Sequence, residues 1–445
     1  MRLGTSVSGL VAAALAGLAA VSAKSAVGNR LAVILDAGTP KDDYSAFFGS
    51  LQQRGFDIHY AEPKSDFSFF HLEERAYDHA ILFPQKSKGL GPELTPQALS
   101  RFVEAGGNLL IGASSTMSPA IRDFARELGI ELADRDSLMV DHFKADKEAK
   151  DDKHTTLLLD GFVKSPILSS EVVKGAPVIF KGVGHALGNS PLLQPILQAD
   201  STAYSYDTKE EFEAAEAPWV AGKQAYLVSA LQARNNARVV VAGSVDLFSD
   251  AAMTRIIGGK QAGNALFARD VTQWVFQEKA VIRAFGLRHA LANTTFEETL
   301  PSMYRVKNEV AFEIQMQQWK DDRWVPYTAA DVQLELIMLD PYIRANLEVA
   351  GTTTEATRYI KTFMLPDHYG VFHFKVNYKR PGLSYIEERQ QVTIRHYRHD
   401  EYPRFLSAAW PYYASTATVI AGFLVFSGLW LFNQPTAMPD VKKAQ

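Results

Sequence analysis

From residue 31 onward, short apolar runs alternate with segments in which apolar residues recur every three or four positions. The runs predict buried strands, and the second pattern predicts amphipathic helices. Thr95 before Pro96 marks one helix start, because threonine is a favoured cap and proline fits the first turn. The predicted strands are 31–36, 57–61, 79–84 and 108–112, and the predicted helices are 45–54 and 95–104. This alternation predicts an α/β fold with a parallel sheet covered by helices.

The middle of this region, 138–232, has a less regular pattern. It contains short β-rich stretches, a charged run over 144–153 and many turn residues. A continuous apolar strand returns at 238–243 and an amphipathic helix at 264–276. We therefore predict one α/β domain over 28–279, with the middle segment as a β-rich elaboration of it.

Helical periodicity disappears in the next part of the chain, and alternating apolar and polar positions replace it. The predicted strands are 310–316, 332–339, 359–364, 371–378 and 391–396. This texture predicts an antiparallel β-sandwich of about seven strands. We assign this second domain to 280–404.

Uncharged stretches lie near both ends of the chain. Arg2 precedes an apolar run over 7–21, and small residues end at Ala23, a pattern that predicts a signal peptide over 1–23. The second stretch, 412–432, is long enough as a helix to cross a bilayer. An uncleaved N-terminal helix and a buried core helix are the respective alternatives.

A cleaved signal followed by one span predicts a type I membrane protein, with the large region in a lumen and 433–445 in the cytosol. Lys442 and Lys443 then stand fourth and third from the C-terminus, the spacing of a dilysine retrieval signal. The predicted location is the endoplasmic reticulum membrane. An exported type I cargo or adhesion receptor is the alternative.

Small residues are concentrated on one side of the predicted span. They are Ala414, Thr418 and Gly422 at intervals of four, with Ala417 and Ala421 on a neighbouring stripe. Because small side chains let helix backbones approach closely in lipid, we predict a helix-packing face. The alternative is that small residues are simply frequent in membrane helices.

The composition and the missing motifs limit the reactions and ligands that this chain could support. The chain has no cysteine, which excludes disulfides, thiolate nucleophiles and cysteine-ligated metals. Its net charge of -4 argues against nucleic acid as a partner. The sequence contains no G-x-S-x-G elbow, P-loop or H-E-x-x-H motif. No cofactor or metal site is predicted.

An enzymatic alternative remains open. The strand HAILFP and the segment EAGGNLLIGASS resemble the flavodoxin-like core of glutamine amidotransferase-like domains. The chemistry of those domains needs a cysteine thiolate, which this chain lacks. The alternative function is therefore a lumenal serine hydrolase or amidotransferase-like enzyme that would use a serine of the α/β domain. Ser114 and Ser115 follow the predicted strand but lack an elbow motif that would expose them.

Two surface segments are candidates for other roles. Asn293, Thr294 and Thr295 form an N-x-T sequon, so Asn293 is a candidate for N-glycosylation, with an unmodified exposed loop as the alternative. The segment RHYRHDEYPRF, 395–405, combines histidine, arginine and aromatic residues just before the span. Such a composition suits contact with lipid headgroups or with partner subunits.

Long stretches of the chain resemble the family of the 48 kDa subunit of oligosaccharyltransferase. The resemblance is carried by EAGGNLLIGASS, DGFVKSPILSS, NNARVVVAGSVDLFSD and LPDHYGVFHFKVNYKRPGLSYIEERQQVTIRHYRHDEYPRFLSAAWPYYASTATVIAGFLVFSGLW. It implies a non-catalytic subunit of the complex that transfers dolichol-linked oligosaccharide to asparagine of N-x-S/T sequons. The implied role is structural, with help in positioning substrate as a further possibility.

The same resemblance implies the partners. These are the catalytic multi-span subunit, a ribophorin II-type subunit and a small membrane subunit of the defender-against-death type. Glycosyl transfer needs carboxylates that hold a divalent metal, and the family assigns them to the catalytic partner. No catalytic, cofactor-binding or metal-binding residue is therefore carried over to this chain.

Overall fold

The computed structural model describes residues 25–36, 39–83, 91–149, 151–207, 218–297 and 299–434. The predicted signal peptide, 1–23, and the predicted retrieval lysines, Lys442 and Lys443, lie outside the described residues. The predicted fold class is confirmed: a helix-covered sheet is followed by a strand-rich region and one C-terminal apolar helix.

Short strands form the first part of the chain, as the apolar runs predict. They are β1 (Arg30–Leu35), β2 (Asp57–Ala61), β3 (Phe70–His71), β4 (Glu74–Arg75), β5 (His79–Phe83), β6 (Asn108–Gly112), β7 (Ile130–Leu132), β8 (Ser137–Val140), β9 (Leu157–Leu159), β10 (Val178–Phe180), β11 (His185–Leu187), β12 (Leu193–Gln198), β13 (Tyr204–Asp207), β14 (Tyr226–Gln232), β15 (Arg238–Ala242), β16 (Ile256–Ile257) and β17 (Lys260–Gln261).

Helices connect and cover these strands, and a longer one ends the described chain. They are α1 (Ser45–Gln53), α2 (Pro96–Glu104), α3 (Pro119–Glu127), α4 (Ser170–Val173), α5 (Asp250–Thr254), α6 (Asn264–Val275) and α7 (Trp410–Phe432). Single 3-10 turns lie at Lys41–Tyr44, Pro92–Leu94, Gly222–Gln224, Asp246–Phe248 and Ser407–Ala409. Thr95 caps α2 as predicted, since its hydroxyl oxygen accepts a hydrogen bond from Ala98 N.

The main sheet has the strand order β2-β1-β5-β6-β15-β14-β11-β7, with β12 also paired to β14. The first five strands of this order are parallel. From β14 onward the pairing is antiparallel. The irregular middle segment thus supplies strands that extend a flavodoxin-like parallel core, and the sheet as a whole is mixed.

Helices cover both faces of the main sheet. Leu31 and Val33 of β1 belong to the core cluster that contains residues of α1 and α6, while Ala32 and Ile34 belong to the cluster of α2 and α3. Successive strand residues point to opposite faces, so both cores grow from the same strands. This two-sided burial explains why β5, β6 and β15 are continuous apolar runs.

The second region is a sandwich of two five-stranded sheets, in the orders β18-β20-β25-β24, with β21 on β20, and β19-β27-β26-β22-β23. Its strands are β18 (Val281–Leu291), β19 (Met303–Arg305), β20 (Glu309–Lys320), β21 (Arg323–Pro326), β22 (Gln333–Ile337), β23 (Pro341–Asn346), β24 (Glu348–Thr352), β25 (Thr357–Met364), β26 (Gly370–Tyr378) and β27 (Ile386–Arg395). The ten described strands exceed the expected seven. β23 and β24 are edge strands with mostly exposed side chains, which leave little apolar alternation, and β19 and β21 have only 3 and 4 residues. The sandwich is antiparallel except between β19 and β27.

Arg238, the first residue of β15, joins the two regions. Its fully buried side chain donates to the carbonyl oxygens of Trp274 at 2.7 Å, Lys279 at 2.9 Å and Ala280 at 2.7 Å. It also donates to Ser384 Oγ of the sandwich at 3.3 Å. Burial lowers the pKa of Arg238 to about 9, so the group stays charged at neutral pH. The carbonyl group of Trp274, in the last turn of α6, and the two carbonyl groups beyond the helix stabilise this charge.

The turn between β26 and β27 is bonded to the same place. Trp274 Nε1 donates to Gly382 O at 2.8 Å. Asn236 Nδ2 donates to Tyr385 O at 3.0 Å, and Tyr385 N donates to Asn236 Oδ1 at 2.6 Å. The sandwich therefore contacts the amino edge of the parallel strands, opposite to the edge where those strands end.

Helix α7 extends away from both regions. The helical stretch Ser407–Phe432 spans 26 residues, its most apolar 18-residue window has a mean hydropathy of 1.8, and none of that window is buried. The 23 residues of α7 alone would measure about 34 Å at 1.5 Å per residue. By length and composition α7 could cross a membrane.

Replacing Arg238 by methionine should destabilise the junction. The three carbonyl acceptors would remain buried without their donor, and each hydrogen bond to a charged group is worth about 1.5–3 kcal/mol. We expect the midpoint of thermal unfolding of the full chain in detergent to fall by on the order of 5 °C or more. An unchanged midpoint would contradict a stabilising role for this guanidinium.

Arg126→Met is the matched control. The side chain of Arg126 is 67% exposed and lies 3.5 Å from Asp123. Exposed ion pairs contribute about 0–1 kcal/mol, so the midpoint should barely change.

Candidate functional site

In open α/β sheets, ligands bind beyond the carboxyl ends of the parallel strands. A cleft of about 520 Å³ opens at this edge, bordered by residues that follow β1, β10 and β15. We call it the carboxyl-edge cleft. Its charged lining residues are Asp42, Asp43, Lys181, Asp246, Asp250 and Arg255.

Internal contacts use two of these charged groups. The carboxylate of Asp250 accepts hydrogen bonds from Ser45 N at 3.0 Å, Ser45 Oγ at 2.6 Å and Ala46 N at 2.9 Å. It thereby caps the first turn of α1, where backbone N–H groups lack partners within the helix. Arg255 forms an ion pair with Asp146, which is buried. These two groups hold the walls of the cleft together.

Asp246 faces the open part of the cleft. Part of its side chain is exposed. Partial burial raises the pKa of the Asp246 carboxyl group. The positive charge of Lys181 lowers this pKa, and the negative charge of Asp43 raises it further. Within the described residues, no group of three or more histidine, aspartate or glutamate side chains is arranged to hold a metal ion. Asp246 and Lys181 give the cleft exposed groups that can hydrogen-bond a polar ligand.

The serines of the enzymatic alternative lie near the same edge, directly after β6. Ser114 Oγ lies 3.5 Å from Thr116 Oγ1, and the carbonyl oxygen of Ser115 accepts hydrogen bonds from Arg122 and Asp136. Neither serine borders the carboxyl-edge cleft. These contacts are those of a loop that follows a buried strand, and they give no specific support to a serine nucleophile.

Serine–histidine contacts occur in the interior instead. Ser229 Oγ lies 2.6 Å from His185 Nε2, and both residues are fully buried. Burial lowers the pKa of His185 to about 3, so the imidazole is neutral. Ser25 Oγ lies 3.2 Å from His79 Nε2, again in the core. A reacting substrate has no access to either pair, and we assign both to packing.

A second cleft, of about 760 Å³, lies at the junction of the two regions. Its charged lining residues are Arg234, Arg283, Lys379, Arg380, Glu387 and Glu388. Arg380 pairs with Asp331 at 2.7 Å, and Lys379 pairs with Glu387 at 3.1 Å. Because these two ion pairs neutralise three of the six lining charges, the cleft is a solvated seam between the regions rather than a strongly charged site.

The predicted packing residues lie along α7, and all of them are exposed. They are Ala414, Ala417, Thr418, Ala421 and Gly422. Thr418 Oγ1 donates to Ala414 O at 2.8 Å, so its hydroxyl group is satisfied within the helix. At 3.6 residues per turn these five positions share one side of α7. The structure brings them together and leaves them open to a neighbour.

The remaining predicted residues lie in the sandwich region. Asn293 is exposed in a turn directly after β18, with Thr294 and Thr295 also exposed. His396 and His399 follow the end of β27 and are exposed.

Sequence reasoning missed Arg238, whose only signal is a charged residue at the start of an apolar strand.

Comparison with known proteins agrees with this architecture. Residues 22–278 match the OST48 N-terminal domain, and residues 289–434 match the OST48 middle domain. The two matches together leave out the segment 279–288, where β18 begins. The resemblance predicted from the sequence is thereby confirmed.

Relatives from several kingdoms are similar over nearly their whole length. The wbp1 subunit of dolichyl-diphosphooligosaccharide–protein glycosyltransferase from Schizosaccharomyces pombe is 42% identical over 90% of this chain and 92% of its own. The 48 kDa subunit of that transferase from Caenorhabditis elegans is 34% identical over 96% of both chains. The Arabidopsis thaliana 48 kDa subunit is 34% identical over 91% of this chain and 93% of its own. This chain therefore belongs to the OST48 family.

Proposed function

We propose that this chain is a non-catalytic, membrane-anchored subunit of an oligosaccharyltransferase complex, which transfers dolichol-linked oligosaccharide to asparagine in N-x-S/T sequons. The observation that carries the proposal is the similarity to named subunits of this transferase over more than 90% of the chain in two relatives. The exposed apolar helix α7 supports it, because an isolated soluble protein would not leave such a helix in water.

The proposed role is structural. Two charged groups of the carboxyl-edge cleft, Asp250 and Arg255, form contacts within the chain. Charged groups that are engaged in this way support a structural role more than a catalytic one. In this proposal the metal-dependent transfer takes place in a catalytic partner subunit, and this chain braces its neighbours. The other proposed partners are a ribophorin II-type subunit and a small membrane subunit of the defender-against-death type.

The proposed location is the endoplasmic reticulum membrane, in type I orientation. A signal peptide over 1–23 would bring the α/β domain, 28–279, and the sandwich, 280–404, into the lumen. The span 412–432 would hold them at the membrane, with 433–445 in the cytosol. The length of α7, about 34 Å, supports the span because it exceeds a hydrocarbon core of about 30 Å.

Purification of the full chain in mild detergent tests the central proposal. With a tag on the lumenal side, we expect to recover other subunits of the transferase together with glycan transfer to an N-x-T peptide. Recovery of a solitary protein without transfer activity would overturn the proposal.

Two threonines of α7 offer a matched pair of variants for the packing face. Thr418→Leu places a larger side chain on the helix-packing face of small residues. Thr416→Leu makes the same change at a position about 200° further around the helix, outside that face. Both hydroxyl groups donate to the carbonyl oxygen four residues earlier, at 2.8 and 2.9 Å, so the two changes remove equivalent bonds. Thr418→Leu should weaken subunit recovery about tenfold, as expected for about 1–2 kcal/mol of lost packing. Equal recovery of both variants would argue against this face.

The sequon has its own pair of variants. Thr295→Ala destroys the N-x-T pattern, whereas Thr294→Ala preserves it, and both side chains are exposed. If Asn293 is glycosylated, Thr295→Ala should lower the apparent mass of the chain on a gel and Thr294→Ala should not. Identical masses before and after glycosidase treatment would show that Asn293 is unmodified.

The retrieval signal is tested in cells that express the chain in excess of its partners. Replacing Lys442 and Lys443 by serine should let the unassembled chain leave the endoplasmic reticulum, with acquisition of later glycan processing or surface exposure. Continued retention of the unassembled variant would count against the dilysine proposal.

A further inference from the structure

One end of the sandwich is directed toward the start of α7. Strand β27 ends there at Arg395, and its neighbour β26 begins there, because Gly370 pairs with Ile394. The turn between β22 and β23 lies at the same end, since Ile337 pairs with His373 near the start of β26. The opposite end of the sandwich carries the turn 379–385, which contacts the α/β region.

Apolar and aromatic side chains project from the loops at this end. Leu339, at the tip of the β22–β23 turn, is 91% exposed, and Tyr369 is 63% exposed. The two loops touch each other, because Met338 Sδ would lie only 2.9 Å from a Cβ atom placed on Gly370. Exposed large apolar groups gathered at one end of a domain indicate a contact surface.

Ring contacts connect this surface to the segment that leads to α7. His368 stacks between Tyr342, at 5.5 Å, and Tyr369, at 5.9 Å. Tyr369 in turn meets His396 edge to face at 5.8 Å. His396 is the first residue after β27, so the exposed loops and the chain toward α7 form one continuous patch.

The segment after His396 is held close to the sandwich. Arg395 makes two hydrogen bonds to the carboxylate of Glu401, each at 2.7 Å. The ring of Tyr397 lies 5.3 Å from that of Tyr402. Only Pro403 and Arg404 then separate Tyr402 from Phe405, so their Cα atoms are at most about 11 Å apart.

The link from Phe405 to α7 is also short. The ring of Phe405 contacts Tyr413, in the first turn of α7, at 6.3 Å. The sandwich end therefore stands next to the point where α7 would enter a bilayer, within reach of a headgroup layer about 5–8 Å deep.

We propose that this end of the sandwich rests in the headgroup layer of the membrane, with Leu339 and Tyr369 as the contact residues. The inference rests on the proposed function, because it requires α7 to span a bilayer. Tyrosine and histidine rings suit the headgroup level, where one edge of a ring meets lipid and the other meets water.

The charges at this end favour a zwitterionic surface over an anionic one. Arg398 and Arg404 are exposed, but so are Asp340 and Asp400, so the patch has no strong net charge. Tyrosine rings also attract quaternary ammonium groups through cation–π contacts. Phosphatidylcholine-type headgroups therefore match the surface, and a protein partner at the same place is the competing occupant.

The absence of cysteine makes a site-specific test straightforward. Single variants Leu339→Cys and Tyr369→Cys of the full chain, labelled with an environment-sensitive fluorophore, are placed in phosphatidylcholine nanodiscs. Ile420→Cys, near the middle of α7, reports on the span. Leu72→Cys is the matched control, since Leu72 is an 86% exposed leucine on the β3–β4 turn of the α/β region.

For Leu339→Cys and Tyr369→Cys, we expect nitroxides on the lipid headgroup to quench the fluorescence more strongly than nitroxides in the middle of the acyl chain. The fluorescence of Leu72→Cys should be quenched by neither. Ile420→Cys should show the reverse order.

If only Ile420→Cys is quenched, the headgroup contact is wrong, whereas the proposed span is supported. If Ile420→Cys is not quenched either, the proposed span is wrong, and the headgroup contact, which depends on the span, is wrong as well. Protection of Leu339→Cys from lipid quenchers in the assembled complex would assign the surface to a protein partner.

Discussion

The positive charge of Arg238 in the interior constrains the arrangement of both folded regions. An ionised group is costly to remove from water unless hydrogen bonds surround it. Here carbonyl oxygens supply them, from the last turn of α6 and from Lys279 and Ala280 in the connection to the sandwich. The junction can form only when helix, connection and sandwich turn are all in place, because each provides an acceptor for the same guanidinium.

This arrangement assigns different tasks to the two edges of the parallel sheet. The amino edge carries Arg238, Asn236 and Trp274 and is used to hold the sandwich. The carboxyl edge, which binds ligands in related α/β architectures, keeps an open cleft whose charged groups partly brace its own walls. The sandwich then stands between the α/β region and α7, as a spacer that sets the height of the cleft above the start of the helix.

Much of the fold could be predicted because its elements depend on local patterns. Strands β1, β5, β6 and β15 agree with their predicted bounds to within one residue, since burial on both faces requires nearly uninterrupted apolar runs. The bounds of β2 also agree, although it is an edge strand whose residues are mostly exposed or half-buried. Edge strands β23 and β24 were missed because their side chains are mostly exposed. The antiparallel half of the main sheet was also missed, since short strands such as β7 and β11 have too few residues to show a period.

The sequence by itself determined the succession of an α/β region, a β-rich region and an apolar helix, together with the absence of thiol chemistry and the family resemblance. These depend on residue type and spacing along the chain, which need no knowledge of distant contacts. Only the tertiary structure decided that Arg238 meets a sandwich turn more than 140 residues away, that Ser229 and His185 are a buried pair rather than a reactive one, and that Leu339 and Tyr369 share one surface with His396. Contacts of this kind are made between residues far apart in the chain, and the physical meaning of a charge, a hydroxyl group or an exposed leucine is set by what surrounds it after folding.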